Sequence, residues 1–339
     1  MATILSNNLL VNGLRTEFSD TYGVIKNRQS DSRLGLVMDL SVPATNREHD
    51  FAYLNAAPHM EYWQRGESIP TDVMDSVGFN VKVYEWARRV PWSKWDRKDD
   101  QTQSLFDMAK MAGESAALLD ERLFFDLLTA TATNLPAIPN APDGVAMFSA
   151  TDGAGNARFG FSGGNIVSST GVSTIHDIQT DYYGALIRFM EFQDGKGQPL
   201  LSPETIDAGT VIIHAAGATK LMEDAFLSKR TGIGLDAAGA PGGTVVAAAA
   251  TTNLVHDSSR NVTLWPTSRL TTDTTWYIFL RAAPKKPTFI LDREGVQEFS
   301  SLEGDNNGDH TRDTAEEYIQ WERRAGAGIA LPYGAIRVA

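Results

Sequence analysis

One long helix is the feature that most constrains what this chain can fold into. It is predicted from about Thr102 to Thr129, where apolar or small residues recur in steps of three and four: Leu105, Met108, Ala112, Ala116, Leu119, Leu123 and Leu127. Residues with this spacing share one face of a helix. Asp100 and Gln103 have the pattern of an N-cap with its capping-box partner. At about 1.5 Å per residue the helix would span roughly 42 Å, longer than most globular helices. Beyond Leu118 the apolar set widens, so we expect its second half to be buried on more than one side.

Length and composition indicate a folded protein with more than one lobe. The chain has 339 residues, of which 42% are hydrophobic and 21% charged, and it contains no cysteine. A chain of this length exceeds one ordinary core, and the absence of cysteine excludes disulfides and thiolate chemistry. No apolar run approaches the ~20 residues needed to cross a bilayer. We therefore expect no membrane span, and the first residues lack the pattern of a secretory signal.

The net charge limits the role that nucleic acid can have. The formal charge is −12, and an acidic chain gains nothing from releasing counterions on phosphate. Binding DNA is therefore not expected to be its main task. An acidic surface can still lie beside DNA without adhering to it.

The N-terminal third predicts an arm followed by a projecting hairpin. Residues 1–33 are polar and mixed, which indicates an extended or partly helical arm that needs a surface to lie against. A strand is predicted at 34–43, ended by Pro43, a second apolar patch follows at 51–54, and a further strand is predicted at 79–91, where apolar residues alternate. The polar stretch 55–78 would form the tip of a long hairpin. An isolated two-stranded ribbon is marginal in water, so we expect the hairpin to lie on another surface.

The remainder of the chain alternates helices and strands. Helices are predicted at 173–192, where Thr174 with Asp177 has the pattern of a cap, and at 218–228. Strands are predicted at 210–215, 261–266, 274–280 and 287–292. Loops are predicted at 134–165, at 230–252, which is rich in Gly and Ala and expected to be mobile, and at 300–315. The chain closes with 316–339. This order predicts an α+β fold in which the chain leaves a first lobe and returns to it.

A search for catalytic or metal-binding patterns finds one weak match. The six histidines are scattered and His214 lies in an apolar strand, which favours a core position. Gly160 to Gly164 fits the G-x-S-x-G pattern around Ser162, but that motif needs a buried strand before it and a helix after it. Both flanks here resemble turns. We therefore predict no catalytic residue, cofactor or metal ion.

Aromatic and arginine side chains on extended segments point to subunit contacts instead. Each tryptophan is as easily a core residue, but for Trp63, in a polar hairpin tip, a contact between subunits is favoured. A basic cluster just before the long helix is either a solvated face or a landing site for an acidic surface of a neighbour. The predicted interface residues are Tyr62, Trp63, Arg65, Glu67, Arg88, Lys94, Arg97, Lys98, Arg323 and Arg324.

Several strings, in order, resemble the major head subunits of Mu-like phages. They are FAYLNAAPHMEYWQRG, VKVYEWARRVPWSKWDRKD, LFDMAKMAGESAALLDERLFFDLL, VIIHAAGATKLMEDAF, NVTLWPTSRL, TTWYIFL and WERRAGAGIALPYGAIRVA. The resemblance implies the Hong Kong 97-type capsid fold of tailed phages and herpesviruses. By that analogy the segments are an N-terminal arm (1–40), an extended loop or E-loop (41–98), a peripheral domain with its spine helix (99–169), an axial domain (170–265) and a return to the peripheral domain (266–339).

The resemblance also implies a function. Family members assemble as pentamers and hexamers into icosahedral shells around double-stranded DNA, so the expected location is the virion capsid, assembled in the cytoplasm of a bacterial host. Expected partners are further copies of the chain, a separate scaffolding protein, a portal, packaged DNA lying nearby without specific binding, and in some cases a decoration protein. Two alternatives stay open: an encapsulin-like compartment that encloses enzyme cargo, and a hydrolase that uses Ser162.

Overall fold

The computed structural model describes residues 7–30, 33–54, 76–93, 104–172, 174–228, 230–232, 250–252, 261–283, 285–301 and 316–339. The chain forms two compact units. The first, unit 1, comprises described residues of the segments Met1–Phe51, Asn80–Pro139 and Thr288–Gly328. The second, unit 2, comprises described residues of the segments Ala52–Phe79, Asn140–Pro287 and Ile329–Ala339. Each unit therefore depends on segments that are far apart in the sequence.

Helices and strands are mixed along the described chain, which confirms the predicted α+β class. The helices are α1 Asn7–Ser30, α2 Arg33–Val37, α3 Ser104–Ala117, α4 Leu119–Thr129, α5 Ile175–Glu191, α6 Pro203–Asp207 and α7 Thr219–Phe226. The strands are β1 Met38–Pro43, β2 Glu48–Leu54, β3 Ser76–Lys82, β4 Tyr84–Ser93, β5 Ile166–Val167, β6 Thr210–Ala215, β7 Arg230–Gly232, β8 Ala250–Thr252, β9 Val262–Thr267, β10 Trp276–Leu280, β11 Thr288–Ser301, β12 Glu316–Ile329 and β13 Ala335–Val338. No described helix is long and apolar enough to cross a membrane.

The predicted long helix is present as α3 and α4, which meet at Leu118. Leu118 has φ −76° and ψ 0°, yet its N–H still donates to the carbonyl of Glu114 and its own carbonyl accepts from Arg122. The hydrogen bonding therefore continues across a local break. Helix α4 is buried more fully than α3, as the widening of its apolar set predicts. The predicted cap at Asp100 and Gln103 lies outside the described residues.

The predicted arm is a helix that lies on its own chain. Helix α1 has 24 residues and packs along α3, where its Leu14 and Phe18 join a cluster with Leu105 and Trp321. The two helices touch at Gly113, where an added Cβ would lie 2.7 Å from the carbonyl oxygen of Phe18. Only a residue without a side chain allows the backbones to come this close. The arm therefore has a surface to lie against within unit 1.

The sheet of unit 1 has four strands in the order β1–β11–β12–β4. The predicted strand 34–43 starts as helix α2 and becomes extended at Met38, and Pro43 ends it as expected. Strand β4 runs antiparallel to β12, with Arg88 opposite Trp321. Because side chains alternate along a strand, Trp86, Arg88 and Val90 share the face that carries Trp321. Trp321 and Val90 pack with the α1–α3 cluster, so this face is turned toward the helices.

The predicted hairpin is confirmed in its base. Strands β2 and β3 pair as a two-stranded sheet, and cross-strand contacts join Lys82 to Glu48 at 3.3 Å and Asn80 to Asp50 at 2.8 Å. The strands are thus antiparallel. The predicted single strand 79–91 is in fact two strands, β3 and β4, separated at Val83. The tip, residues 55–75, lies outside the described residues.

Unit 2 is built on a five-stranded sheet in the order β5–β13–β10–β6–β9. The central strands β10 and β6 pair antiparallel and are buried along their whole length. Helix α5 packs on this sheet beside α7, and its Thr174 cap is as predicted: the hydroxyl accepts the N–H of Asp177 and donates to its carboxylate. His214 is buried in β6, as expected of a core residue. Of the predicted Gly/Ala loop only the ends, β7 and β8, are described.

Candidate functional site

An apolar groove of about 540 Å³ lies in unit 1. One wall comes from β4 with Trp86 and Val90, and the other from helices α3 and α4 with Met108, Met111 and Leu119. Helix α3 is thereby shared: α1 covers one flank, the sheet lies beneath it, and the groove follows the remaining flank. The side chain of Met111 is 68% exposed. Exposed methionine is common on surfaces that accept an apolar partner.

The groove lining carries arginines although the chain is acidic. Its lining includes Arg88, Arg122 and Arg323 and, among the described residues, no carboxylate. Arg122 lies within 3.4 Å of the Ser115 hydroxyl, and Arg88 is exposed at the rim. The chain as a whole carries a net charge of −12. This combination suits a segment that presents apolar and acidic side chains together.

A buried ion-pair cluster lies behind the groove. Arg323 donates to Asp120 at 2.5 Å and to Asp292 at 3.3 Å, and Lys26 of α1 pairs with the second oxygen of Asp120. Asp120 is fully buried in the first turn of α4, where the helix dipole favours a negative charge. Two cations and two anions balance one another. We call these four residues the Asp120 cluster.

The charges of this cluster affect the pKa values of Arg323 and of the neighbouring Tyr22. Burial alone would lower the pKa of the Arg323 guanidinium, but the carboxylates of Asp120 and Asp292 raise that pKa above its ordinary value. Arg323 therefore stays charged although it is 3% exposed. Burial also raises the pKa of the Tyr22 phenol on α1 above its ordinary 10.0; the nearby Arg323 acts against this shift, and the carboxylates of Asp120 and Asp292 add to it. Tyr22 is thus neutral at neutral pH.

Unit 2 has a different buried polar centre. Arg158 is 1% exposed and donates to both carboxylate oxygens of Asp143, at 2.5 and 2.9 Å. It also donates to the backbone carbonyls of Ala146 and Met147. Asn165 extends this network, because its amide donates to the carbonyls of Pro332 and Ala335. The region predicted as the loop 134–165 is therefore irregular, as expected, but it is organised around a buried guanidinium.

The structure distributes the predicted interface residues unevenly. Arg88 lines the groove, whereas Arg323 is buried in the Asp120 cluster because it lies on the inward face of β12. Arg324, on the opposite face, pairs with Glu85 at 3.1 Å and Glu294 at 3.3 Å. The other predicted residues lie outside the described part of the chain: Tyr62, Trp63, Arg65, Glu67, Lys94, Arg97 and Lys98.

The G-x-S-x-G match has none of the geometry that a nucleophile elbow needs. Residues Arg158–Gly160 form a short 3-10 turn, and the strand that follows, β5, has two residues. Ser162 is exposed between them. A strand before the serine and a helix after it are both missing from this described region. The match is therefore a turn sequence.

Sequence reasoning missed the groove and both buried centres. Met108 follows the apolar period of the long helix, so the pattern predicts burial, yet Met108 is 36% exposed and lines the groove. Asp120 reads as an ordinary polar residue within the predicted long helix, and Arg158 as an ordinary loop residue.

Comparisons with known proteins identify both a family and a fold. The family described as phage capsid protein matches residues 77–338. No curated protein matches the chain significantly. A structure from Microbacterium phage Oxtober96 superposes with a TM-score of 0.52 at 16% identity, covering 91% of this chain and 90% of that one.

Two further structures show the same fold. The capsid of an empty GTA particle superposes with a TM-score of 0.53 at 10% identity, covering 90% of this chain and 88% of that one. The virus-like particle from Pyrococcus furiosus gives a TM-score of 0.50 at 10% identity, covering 96% and 97%. At such identities the likeness concerns the fold alone, which is that of tailed-phage major capsid proteins, as the sequence resemblance predicts.

Proposed function

The chain belongs to the phage capsid protein family, and on that premise we propose that it assembles with copies of itself into an icosahedral phage head. The family match covers most of the chain, and the fold is the Hong Kong 97 type of tailed-phage major capsid proteins. The protein is therefore a structural component of a capsid. Its location in the virion follows from this role.

The observation that carries the assembly proposal is the lining of the groove, which complements the amino-acid composition of residues 55–75. Residues 55–75 contain four carboxylates and one arginine, interspersed with apolar and aromatic residues. The groove offers apolar walls, two arginines at its rim and, in the described chain, no carboxylate. Opposite charges across a contact set its register and speed association. We therefore assign the tip of one copy to the groove of another.

Such a contact would stabilise the hairpin. A two-stranded ribbon is marginal in water, and a neighbour's groove would bury the apolar side chains of its tip. The contact joins different patches on the two copies, and repeated heterologous contacts close into rings. Pentamers and hexamers are rings of this type.

The remaining interface residues follow from the same contact. Arg88 lies in the groove, and Lys94, Arg97 and Lys98 come directly after β4 in the chain. Within the tip we propose Tyr62 and Trp63 as apolar anchors, with Arg65 and Glu67 as polar contacts. Arg324 lies on the other face of the sheet and is proposed for a second contact. Arg323 is buried in the Asp120 cluster and is proposed to take part in the contact only as part of the groove wall.

We also propose a subfamily, a segment organisation and a set of partners for this chain. The resemblance to Mu-like head subunits supports that subfamily and the five segments described above, from the N-terminal arm to the return strands. The net charge of −12 supports a shell along which packaged double-stranded DNA slides without adhering. A separate scaffolding protein, a portal and a decoration protein are proposed partners, and the cytoplasm of a bacterial host is the proposed site of assembly.

Electron microscopy of purified protein, together with light scattering, tests the assembly contact. A variant lacking residues 58–72 should remain soluble and form no shells. Arg88→Glu should have the same effect, because it places a carboxylate opposite the acidic tip. Arg89→Glu is the matched control, since Arg89 lies on the other face and stacks over Tyr318 at 3.7 Å. Normal shells from the deletion variant would contradict the assignment of the hairpin.

A second candidate function comes from the virus-like particle of Pyrococcus furiosus, whose fold is similar. An encapsulin-like compartment would use the same assembly contacts but would enclose protein cargo. The nucleic acid content of purified particles distinguishes the two. Particles filled with double-stranded DNA support a phage head, and particles that contain a co-purifying enzyme support the compartment.

A further inference from the structure

We infer that the N-terminal helix α1 controls the shape of the groove through two residues of β12 that line the groove: one contacts α1 directly, and the other is linked to α1 through Asp120. This inference rests on the proposed function, because it concerns the regulation of the groove assigned there to subunit contact. The two residues are Trp321 and Arg323. They lie on the same face of β12, two positions apart.

Trp321 provides the first connection. Its ring lies 5.7 Å from the ring of Phe18 on α1, measured between centroids, and it also lines the groove. Phe18 is itself 2% exposed. The indole is therefore held between α1 and the space that an occupant would fill, and its position depends on both.

Arg323 provides the second connection, through the Asp120 cluster. Lys26 of α1 and Arg323 each bind one oxygen of the Asp120 carboxylate. Arg323 also lines the groove, as do Leu119 and Arg122 of α4. Leu119 and Arg122 come before and after Asp120 in the first turn of that helix. A displacement of Asp120 would therefore move one wall of the groove.

Removing α1 would change the charge of this cluster. With Lys26 in place the two cations balance the two anions. Without Lys26 a net negative charge remains, and one oxygen of the fully buried Asp120 loses its partner. A buried charge without its partner is strongly unfavourable. Arg323 would then move toward Asp120 and away from Asp292, or the first turn of α4 would rotate Asp120 toward water.

Either response changes the groove wall, so we expect the groove to differ in shape between docked and displaced α1. Coupling between two sites is reciprocal in binding free energy. If docked α1 favours the open groove, an occupant of the groove must in turn hold α1 in place. A subunit with its contact made would therefore have a more firmly docked α1 than a free subunit.

The test uses the full-length protein, below the concentration at which it assembles, and a fluorescently labelled synthetic peptide with the sequence of residues 55–75. Peptide affinity is measured by fluorescence anisotropy. Lys26→Met should weaken binding about tenfold, within the usual range of allosteric coupling. Lys26→Arg keeps the cation and should remain within about twofold of the wild type.

Lys110→Met is the matched control. Lys110 pairs with Glu17 of α1 at 3.7 Å, and both side chains are substantially exposed. This variant removes another α1–α3 contact without touching the Asp120 cluster, so peptide affinity should stay within about twofold, as expected of a surface pair. Equal weakening by Lys110→Met would mean that α1 docking in general affects the groove, and would overturn the assignment of this coupling to the Asp120 cluster.

Hydrogen exchange provides a second readout. The peptide should slow amide exchange in α1 of the wild type and have less effect in Lys26→Met. Where Lys26→Met folds poorly, Phe18→Leu tests the Trp321 connection. It should lower the affinity for the peptide about threefold. A peptide that binds all variants equally overturns the coupling and leaves the proposed contact intact. A peptide that fails to bind the wild type overturns both.

Discussion

Unit 1 and unit 2 each contain a buried arginine, but the two guanidiniums connect different kinds of structure. Arg323 in unit 1 binds Asp120, which is 203 residues away in the sequence, and Asp292, which is 31 residues away. The hydrogen-bond partners of Arg158 in unit 2, within the described part of the chain, reach no farther in sequence than Asp143, 15 residues away. The first guanidinium holds helix α4 to strands β11 and β12. The second organises one glycine-rich loop around itself.

This difference predicts different consequences of damage. Four elements, α1, α4, β11 and β12, meet at the Asp120 cluster, so its loss should loosen whole helices and strands. The Arg158 centre satisfies backbone carbonyls within a single loop, so its loss should loosen that loop. Buried charges are costly in both places, but only in unit 1 does the cost fall on elements that are distant in sequence.

Arg323→Met should have the largest effect. It leaves Asp120 and Asp292 without their shared cation, and breaking a buried pair in this way typically costs about 3–5 kcal/mol of unfolding free energy. Arg324→Met is the matched control: the neighbouring arginine is 39% exposed in its surface pairs, so its loss should cost less than about 1 kcal/mol. Chemical denaturation measures both values. Similar losses in the two variants would contradict the distinction between the two faces of β12.

Arg158→Lys should cost about 2–3 kcal/mol, because lysine cannot reproduce the bidentate contact with Asp143 while also reaching two backbone carbonyls. Hydrogen exchange followed by mass spectrometry should show faster exchange in residues 141–165. Helix α5 should keep its protection, since its own core contacts are unchanged. Loss of protection throughout α5 would mean that the Arg158 centre is not local.

Gly113→Ala should cost about 1–2 kcal/mol, because the new methyl group would force α1 away from α3. Gly184 on α5 is the matched control in unit 2: a Cβ there would meet no atom within 4 Å. Gly184→Ala should therefore stabilise the protein by up to about 1 kcal/mol through helix propensity. Thermal unfolding of both variants gives the comparison. Equal effects at the two glycines would remove the argument for close α1–α3 contact.

Tyr22→Phe should have the smallest effect, visible only at alkaline pH. Burial raises the pKa of Tyr22 in the folded protein above its ordinary 10.0, so the unfolded chain loses the phenolic proton first. The stabilisation that results is complete below that ordinary value and is lost as the pH rises through the folded-state pKa. The wild type should therefore lose stability above about pH 10 more steeply than Tyr22→Phe. Burial also raises the pKa of Tyr277 in unit 2, but Tyr277 is present in both proteins. The difference between their pH profiles therefore reports Tyr22 alone.

Local spacing in the sequence was enough for the regular elements. Helix α5 begins at Ile175 and is capped by Thr174 as predicted, because the cap needs only Thr174 and Asp177, three residues apart. The buried strands β6 and β10 lie where short apolar runs place them. The ordered strings indicated a Hong Kong 97-type capsid fold, which the comparisons confirm. Each of these conclusions depends on residues that are close together in the chain, or on an order of segments that the chain itself preserves.

Tertiary structure decided how chemically identical neighbours are used. Strand alternation places Arg88 and Arg89, like Arg323 and Arg324, on opposite faces, but it does not say which face is turned toward α3. Only the arrival of α3 and α1 on one face of the sheet buries Arg323 and leaves Arg324 exposed to water. The partners that make that burial tolerable, Lys26, Asp120 and Asp292, come from three separate segments. Desolvation depends on what surrounds a group in space, and no local pattern in the sequence encodes that.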